Sequence, residues 1–208
     1  MYFFHSKIKD LKQFLIIRGN QRIFQLDFEE NTGSNLDKND LMTGFISALE
    51  SFSTSYAEDE SDSNIVRFGN SNIIIARAKS GIVGALIVAK ISNQKIEKLE
   101  NFPSLLVKLF DNRYQGLLES GKDFDEAIFS DFMPYVVGTL VENKISPKNI
   151  PKQKSVSKFP ESVTNECKKI FEKIDGKQNI AKISESLNTN EDYLPLFNFL
   201  KLLDLIKT

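Results

Sequence analysis

Histidine and cysteine, the side chains that catalysis and metal binding use most often, each occur once in this 208-residue chain, as His5 and Cys167. One histidine near the amino terminus and one distant cysteine are too few for a zinc site or for a cysteine nucleophile with its base. A solvent-exposed histidine and a buried, unreactive thiol are the simpler interpretations. Neither residue predicts catalytic chemistry.

Other polar patterns have structural explanations. The segment Gly81–Gly84 lacks the Lys-Ser/Thr pair and the strand-to-helix context of a phosphate-binding loop. Asp123 and Asp125 stand where a helix is predicted to begin, so capping accounts for them. The sequence therefore predicts no catalytic, cofactor or metal site, and we expect that the protein is not an enzyme.

The composition favours a protein that acts in the cytoplasm. A formal net charge of −1 gives the whole molecule no field for attracting nucleic acid or an anionic membrane. A single cysteine cannot form an intrachain disulfide, which fits a reducing compartment. The apolar start, Met1 to Phe4, is interrupted by His5 and Lys7 and is too short for a signal peptide or a membrane span. We expect a soluble, cytoplasmic protein.

Short apolar runs, rather than polar motifs, dominate the first 143 residues. Runs at 14–17 and 23–28 predict a hairpin, and a helical stripe follows at 41–52. Runs at 65–68, 73–78 and 82–91 are separated by glycine-containing breaks that suit tight turns, which predicts a three-stranded meander. The last run is apolar on both faces, so we expect it in the centre of the sheet.

Two helices are predicted after the meander. Pro103 suits a first helical turn, so the main part of the first helix is expected to begin near Phe102, after a shorter preceding turn. The second is expected to begin at Asp123 and to be kinked by Pro134. The predicted fold class is α+β, with a five-stranded antiparallel sheet in the order β-β-α-β-β-β-α-α, and we assign this domain to residues 1–143.

The rest of the chain divides into a linker and a helical module. Residues 144–161 contain five lysines and three of the six prolines, which predicts an extended Pro/Lys-rich linker. The alternatives are contact of these lysines with anionic lipid or with the acidic run around Asp59. Residues 162–208 predict three helices, with a turn at Asp175-Gly176 and with Asp192 capping the third.

The third helix of the module carries apolar side chains around most of its circumference, with a core stripe that continues to Ile206. Such a helix must be covered on several sides. It either docks on the first domain or forms an interface with another chain, and the apolar amino terminus poses the same alternative. The candidate interface residues are Phe3, Phe4, Tyr193 and Phe197.

The strings IFEKIDGKQNIAKISESLN (170–188) and LPLFNFLKLLDLI (194–206) resemble the three-helix core of winged-helix domains. In that family the third helix often enters the DNA major groove, which makes a transcriptional regulator the alternative function. Charge disfavours this alternative. Residues 161–208 contain seven lysines, no arginine and eight acids, whereas DNA binders neutralise phosphates with basic side chains. We therefore do not expect a nucleic-acid partner.

The order of elements over residues 10–143 resembles that of longin domains, relatives of the roadblock fold. LKQFLIIRGNQRIFQLDF (11–28) looks like the longin opening hairpin, and LMTGFISALESF (41–52) resembles the helix that follows it. The meander IVRFGNSNIIIARAKSGIVGALIVAKI (65–91) and the helix LLVKLFDNRYQGLL (105–118) continue the match. Roadblock proteins place a helix before the first strand, which Phe4, Ile8 and Leu11 could form. The paired terminal helices favour the longin variant.

The resemblance implies a non-enzymatic adaptor that binds or regulates small GTPases in membrane-traffic-like processes. The implied partners are a small GTPase or another longin or roadblock protein, in a homo- or heterodimer. The implied location is the cytoplasm, with peripheral membrane contact as a further expectation. The family has no shared catalytic motif, so no catalytic residue carries over. The composition, rich in Asn, Lys, Ile and Ser, is similar to that of free-standing archaeal members.

Overall fold

The computed structural model describes residues 10–28, 42–49, 63–120, 126–141, 144–187 and 192–208. The chain forms two compact units, Met1–Ser130 and Asp131–Thr208. A β-sheet with its covering helices makes up the first unit, and short helices with one pair of short strands make up the second.

Five antiparallel strands form the sheet of the first unit. They are β1 (Leu11–Arg18), β2 (Gln21–Asp27), β3 (Ser63–Phe68), β4 (Ser71–Arg77) and β5 (Ile82–Ala89). Their spatial order is β2-β1-β5-β4-β3. β5 lies in the centre with every residue from Ile82 to Val88 buried, as its two apolar faces predicted. The predicted α+β class with a five-stranded antiparallel sheet is confirmed.

One helix covers each face of this sheet. α1 (residues 42–49) inserts Ile46 into a buried cluster on one face. The sheet residues of that cluster are Leu15, Ile17, Ile73, Ile75, Val83, Ala85 and Ile87. α2 (Asn93–Glu119) covers the other face, where the ring centroids of Phe110 and Phe24 are 6.3 Å apart. Both faces therefore contribute to the core.

α2 lies close to the sheet because Gly84 has no side chain. A Cβ at Gly84 would lie 2.1 Å from Val107 Cγ2 and 3.6 Å from Pro103 O. Pro103 lies inside α2, which begins at Asn93, so the prediction that the helix begins near Phe102 is wrong. A proline inside a helix costs about 3 kcal/mol. Burial of side chains such as Ile96 on the sheet, at about 1.5–3 kcal/mol each, offsets that cost and extends the helix upstream.

The second predicted helix consists of two elements. A 3-10 helix (Glu126–Phe132) is followed by α3 (Met133–Leu140). Pro134 stands in the first turn of α3, so it begins that helix instead of kinking a longer one. Asp123, the predicted cap, lies outside the described residues.

The second unit is built around one central helix. Its elements are α3, β6 (Lys152–Gln153), α4 (Asn165–Lys173), α5 (Ile180–Ser186), α6 (Leu194–Leu202) and β7 (Ile206–Lys207). The central helix is α6, which α3, α4 and β7 contact. α3 packs so tightly on α6 that a Cβ at Gly138 would lie 1.8 Å from Pro195 O. Buried Asn198 on α6 donates through Nδ2 to Gly138 O (3.1 Å) and accepts from Ile145 N (2.8 Å). Because α3 belongs with α6, the two units divide at Ser130, earlier than the predicted boundary at residue 143.

The segment predicted as an extended linker is part of the second unit. Pro147 O and Asn149 O accept hydrogen bonds from Ala181 N and Ile180 N, each 3.0 Å long. These bonds satisfy free N–H groups at the start of α5. β6 then pairs with β7 in antiparallel fashion. The segment is ordered on the module because the helix end and the short strand β7 need backbone partners.

α6 ends at Leu202, so the predicted core stripe is wrong in its last turn. Asp204 has a φ of 60°, and its N–H donates to Lys201 O (2.9 Å). The next N–H, of Leu205, donates to Leu200 O (3.0 Å). This pair of bonds is a Schellman motif, which stops a helix at a left-handed residue. Ile206 is buried as a strand residue instead.

Candidate interaction surface at the edge of the sheet

β3 is an outer strand, and no described strand pairs with its free edge. In an antiparallel sheet every second residue of such an edge presents its backbone N–H and C=O outward, where another strand can pair with them. Ile65 and Phe68 of this strand are 39% and 54% exposed. Because they are three residues apart, their side chains lie on opposite faces of the sheet. The free edge is therefore apolar on both faces.

The face of this edge next to α1 is aromatic. The ring centroids of Phe68 and Phe45 of α1 are 5.0 Å apart, with the rings tilted by 45°. Partly buried Met42, Leu49 and Val66 pack on the core cluster beneath them. We call these five residues of α1 and β3 the α1-β3 surface. Its side chains contact the core cluster directly, so the packed core holds this surface in place.

Arg67 attaches β3 to the start of α2. Its Nη2 atom donates to Asn93 Oδ1 at 3.0 Å, across the face opposite to α1. This bond and the pairing of β3 with β4 hold the outer strand from two sides.

The other outer strand, β2, has the features of a protected edge. Its large apolar side chains, Ile23, Phe24 and Leu26, are buried, and its remaining residues are polar. Gln25 Nε2 donates to Asp27 Oδ2 at 2.9 Å on this strand. Charged and polar side chains discourage pairing with another chain. Apolar exposure thus distinguishes β3 from β2 and makes the α1-β3 surface the candidate site.

Two of the predicted interface residues, Tyr193 and Phe197, belong to the second unit. Tyr193 and Phe197 are 5% and 0% exposed, so their rings are buried in this chain. Phe3 and Phe4 lie outside the described residues, as does His5. An interface role for these four aromatic residues stays a prediction.

Sequence reasoning placed Ile65 and Phe68 in a strand but did not single them out. The free edge of β3 follows from the spatial order of the strands, which the linear pattern does not contain. The one local signal is that Phe68 comes directly before the Gly69-Asn70 turn, where a large aromatic residue is at the end of its strand.

Cys167 has the environment of a structural thiol. Burial raises the pKa of the thiol to about 11, above its ordinary value of 9.0. Its backbone N–H donates to Thr164 Oγ1 (3.3 Å), the side-chain cap of α4. The thiolate is the reactive form of cysteine, and a pKa of about 11 keeps the thiol protonated at neutral pH.

The described residues contain neither a metal-binding cluster nor a membrane-spanning helix. Among them, no group of three His, Cys, Asp or Glu side chains is placed to hold a metal ion. Within the same ranges, no helix combines the length and the apolar character that crossing a membrane requires.

α6, the counterpart of the DNA-reading helix in the winged-helix resemblance, is not presented to solvent. Seven of its nine residues are buried, and α3 packs against it. A helix that reads DNA must expose side chains to the edges of the bases. The burial of α6 thus disfavours the transcriptional alternative on geometric grounds, in addition to charge.

The solved structures similar to about half of this chain include roadblock proteins. A roadblock/LC7 domain from Streptomyces avermitilis matches with 15% identity and a TM-score of 0.41, covering 55% of this chain and 93% of that chain. MglB of Myxococcus xanthus matches with 15% identity and a TM-score of 0.37, covering 52% and 87%. The gliding protein MglB of Thermus thermophilus matches with 12% identity and a TM-score of 0.34, covering 50% and 80%. No protein-family model and no curated protein sequence matches the chain.

Proposed function

We propose that this protein is a non-enzymatic regulatory platform for a small GTPase and that it dimerises through the α1-β3 surface. The observation that carries the proposal is the free edge of β3, where Phe68 is exposed beside α1 and Ile65 is exposed on the opposite face. The order of elements supports the GTPase part, because it agrees with the longin and roadblock resemblance of the sequence, and members of those families act in this way. A cytoplasmic role in membrane-traffic-like processes belongs to the same proposal.

A second copy of the chain fits this edge. An antiparallel strand added to β3 would satisfy its outward backbone groups and cover both exposed side chains. Two β3 strands can pair about a two-fold axis, since the same patch then meets itself. The two sheets would form one continuous sheet, with the two α1 helices side by side on one face.

The dimer part of the proposal is tested with Phe68→Lys and a control, Gln21→Lys, on the protected edge. Both residues are exposed, and both variants add one positive charge at an outer strand. We expect light scattering to show a dimer for the parent and for Gln21→Lys and a monomer for Phe68→Lys. Circular dichroism verifies that each variant is folded. A parent that is monomeric at all accessible concentrations would overturn this part.

The GTPase part is tested separately. The parent and Phe68→Lys are mixed with small GTPases from the same genome, each loaded with GDP or with GTP. We expect a complex that forms preferentially with one nucleotide state, or a change in the rate of GTP hydrolysis. A set of GTPases that shows neither complex nor rate change would overturn this part, whatever the oligomeric state.

A further inference from the structure

A basic surface in the second unit has no role in the proposed function. The chain from residue 144 to 158 contains five lysines and no acid. The structure fixes this segment on the helical module through the backbone bonds of Pro147 and Asn149 and through β6. Its charges are therefore displayed on an ordered support.

Two further lysines belong to elements that contact Lys152. Lys152 of β6 lies directly opposite Lys207 of β7, and both are exposed. The aliphatic part of the Lys152 side chain lies next to the Asp175-Gly176 turn, since a Cβ on Gly176 would be 3.5 Å from Lys152 Cγ. Lys177, the next residue of that turn, is also exposed. Like charges placed directly opposite each other destabilise a strand pair unless an anion compensates them.

Two acids with hydrogen-bond or ion-pair partners belong to the elements that carry these lysines, Asp175 in the turn and Asp204 just before β7. Asp175 Oδ1 accepts from Lys177 N (2.8 Å) and Gln178 N (2.9 Å), and these bonds lower the pKa of its carboxyl group. Asp204 forms an ion pair with Lys154. Among the charged residues of β6, β7 and the turn, lysines outnumber acids.

An exposed apolar side chain lies between two of these lysines in the sequence. Ile150 is 47% exposed, two residues after Lys148 and two before Lys152, whereas the adjacent Pro151 is buried. An exposed isoleucine beside several lysines is a combination that suits a bilayer surface. Lysines attract the anionic headgroups, and the apolar side chain enters the boundary between headgroups and acyl chains.

We propose that this face, formed by Lys148, Ile150, Lys152, Lys177 and Lys207, binds an anionic lipid surface. Nucleic acid fits less well, because an exposed isoleucine contributes nothing to phosphate contacts and the face has no arginine for bidentate ones. The face lies within the second unit, so lipid binding does not depend on the sheet edge or on a GTPase.

The first experiment measures co-sedimentation of the full chain with vesicles. The vesicles are phosphatidylcholine alone or phosphatidylcholine mixed with phosphatidylserine. We expect binding only to the mixed vesicles, weakened by salt because screening shortens the reach of the charges. Each lysine near the surface contributes about fivefold to partitioning, so Lys152→Gln/Lys207→Gln should weaken binding about 25-fold. The control Lys79→Gln/Lys98→Gln removes the same charge from exposed positions of the first unit and should leave binding unchanged.

The second experiment uses the absence of tryptophan from the chain. Ile150→Trp introduces a single indole, and its fluorescence should shift to shorter wavelength when the anionic vesicles are added. Leu105→Trp, at a side chain 52% exposed on α2, should show no shift.

Three results would overturn the proposal. One is equal binding to neutral and anionic vesicles. Another is equal loss of binding in the control pair and the Lys152/Lys207 pair, because net charge would then explain the effect. The third is duplex DNA binding through Lys152 and Lys207 without vesicle binding, which would assign the face to nucleic acid.

Discussion

Replacing Gly138 by alanine is expected to destabilise the second unit, although alanine forms helices better than glycine. Gly138 lies in α3, where a Cβ would be 1.8 Å from Pro195 O and 2.6 Å from Pro195 C. Both are backbone atoms at the start of α6, so no side-chain rotation relieves the clash. The two helices must move apart, and the bond from Asn198 Nδ2 to Gly138 O lengthens from its 3.1 Å.

The opposing free energies can be compared. Alanine gains about 1 kcal/mol over glycine from helix propensity. Overpacking costs about 1–3 kcal/mol, and a backbone clash this short belongs at the upper end. Weakening the Asn198 bond adds about 1 kcal/mol to the cost. The expected net loss is about 3 kcal/mol, which lowers the urea midpoint by about 1.5 M at an m-value of about 2 kcal/mol per M.

Gly116 in α2 provides the matched control. It is exposed, and nothing lies within 4 Å of a Cβ built there. Gly116→Ala is therefore expected to stabilise the first unit by about 1 kcal/mol through helix propensity alone. Urea unfolding followed by far-ultraviolet circular dichroism measures both variants. A Gly138→Ala protein with a midpoint equal to or above that of the parent would refute the close contact between α3 and α6.

Three further changes have definite expected outcomes. Asn198→Ala leaves Gly138 O and Ile145 N without their buried partner and should cost about 2–4 kcal/mol in urea unfolding, and unchanged stability would contradict this role. Asp204 has a φ of 60°, which glycine adopts more readily than aspartate and alanine less readily. Asp204→Gly should therefore stabilise the chain and Asp204→Ala should destabilise it, each by about 1 kcal/mol. Equal urea midpoints would refute the Schellman ending. Burial raises the pKa of Cys167 to about 11 in the folded state, so its contribution to stability is complete below pH 9 and falls by about 1.4 kcal/mol per pH unit toward pH 11. Cys167→Ala should remove this fall between pH 9 and 10.5, and an identical pH profile would contradict the assignment.

The sheet could be predicted from the sequence because strand periodicity and turn glycines are local signals. Gly69 and Gly81 have positive φ at the predicted breaks, and the two apolar faces of β5 indicated its central position. The role of Gly84 could not be predicted from such local signals. Its role is to admit Val107 of α2, and the sequence contains no sign of that contact across the sheet.

The division of the chain and the candidate surface depended on distant pairings. α3 belongs to the second unit because its Gly138 packs against Pro195 of α6. No sequence pattern within either helix predicts this contact. Phe68 is exposed because β3 is an outer strand, which follows from the order of strands in space. The backbone pairing of the predicted linker could not be predicted for the same reason, since its proline content suited a spacer while its backbone partners lie far along the chain.

The backbone bonds that hold this segment determine how its lysines are displayed. In an extended spacer, lysines sample all directions and their attraction to a surface is averaged. Here the chain is fixed near both ends, by Asn198 bonding to Ile145 N and by β6 pairing with β7, so Lys148 and Lys152 keep constant positions on either side of Ile150. α6, the helix that corresponds to the DNA-reading helix in the sequence resemblance, is buried, whereas Lys152 and Lys207 are exposed on the strand pair. Exposed lysines at fixed positions act together on an anionic surface, at about 1 kcal/mol each.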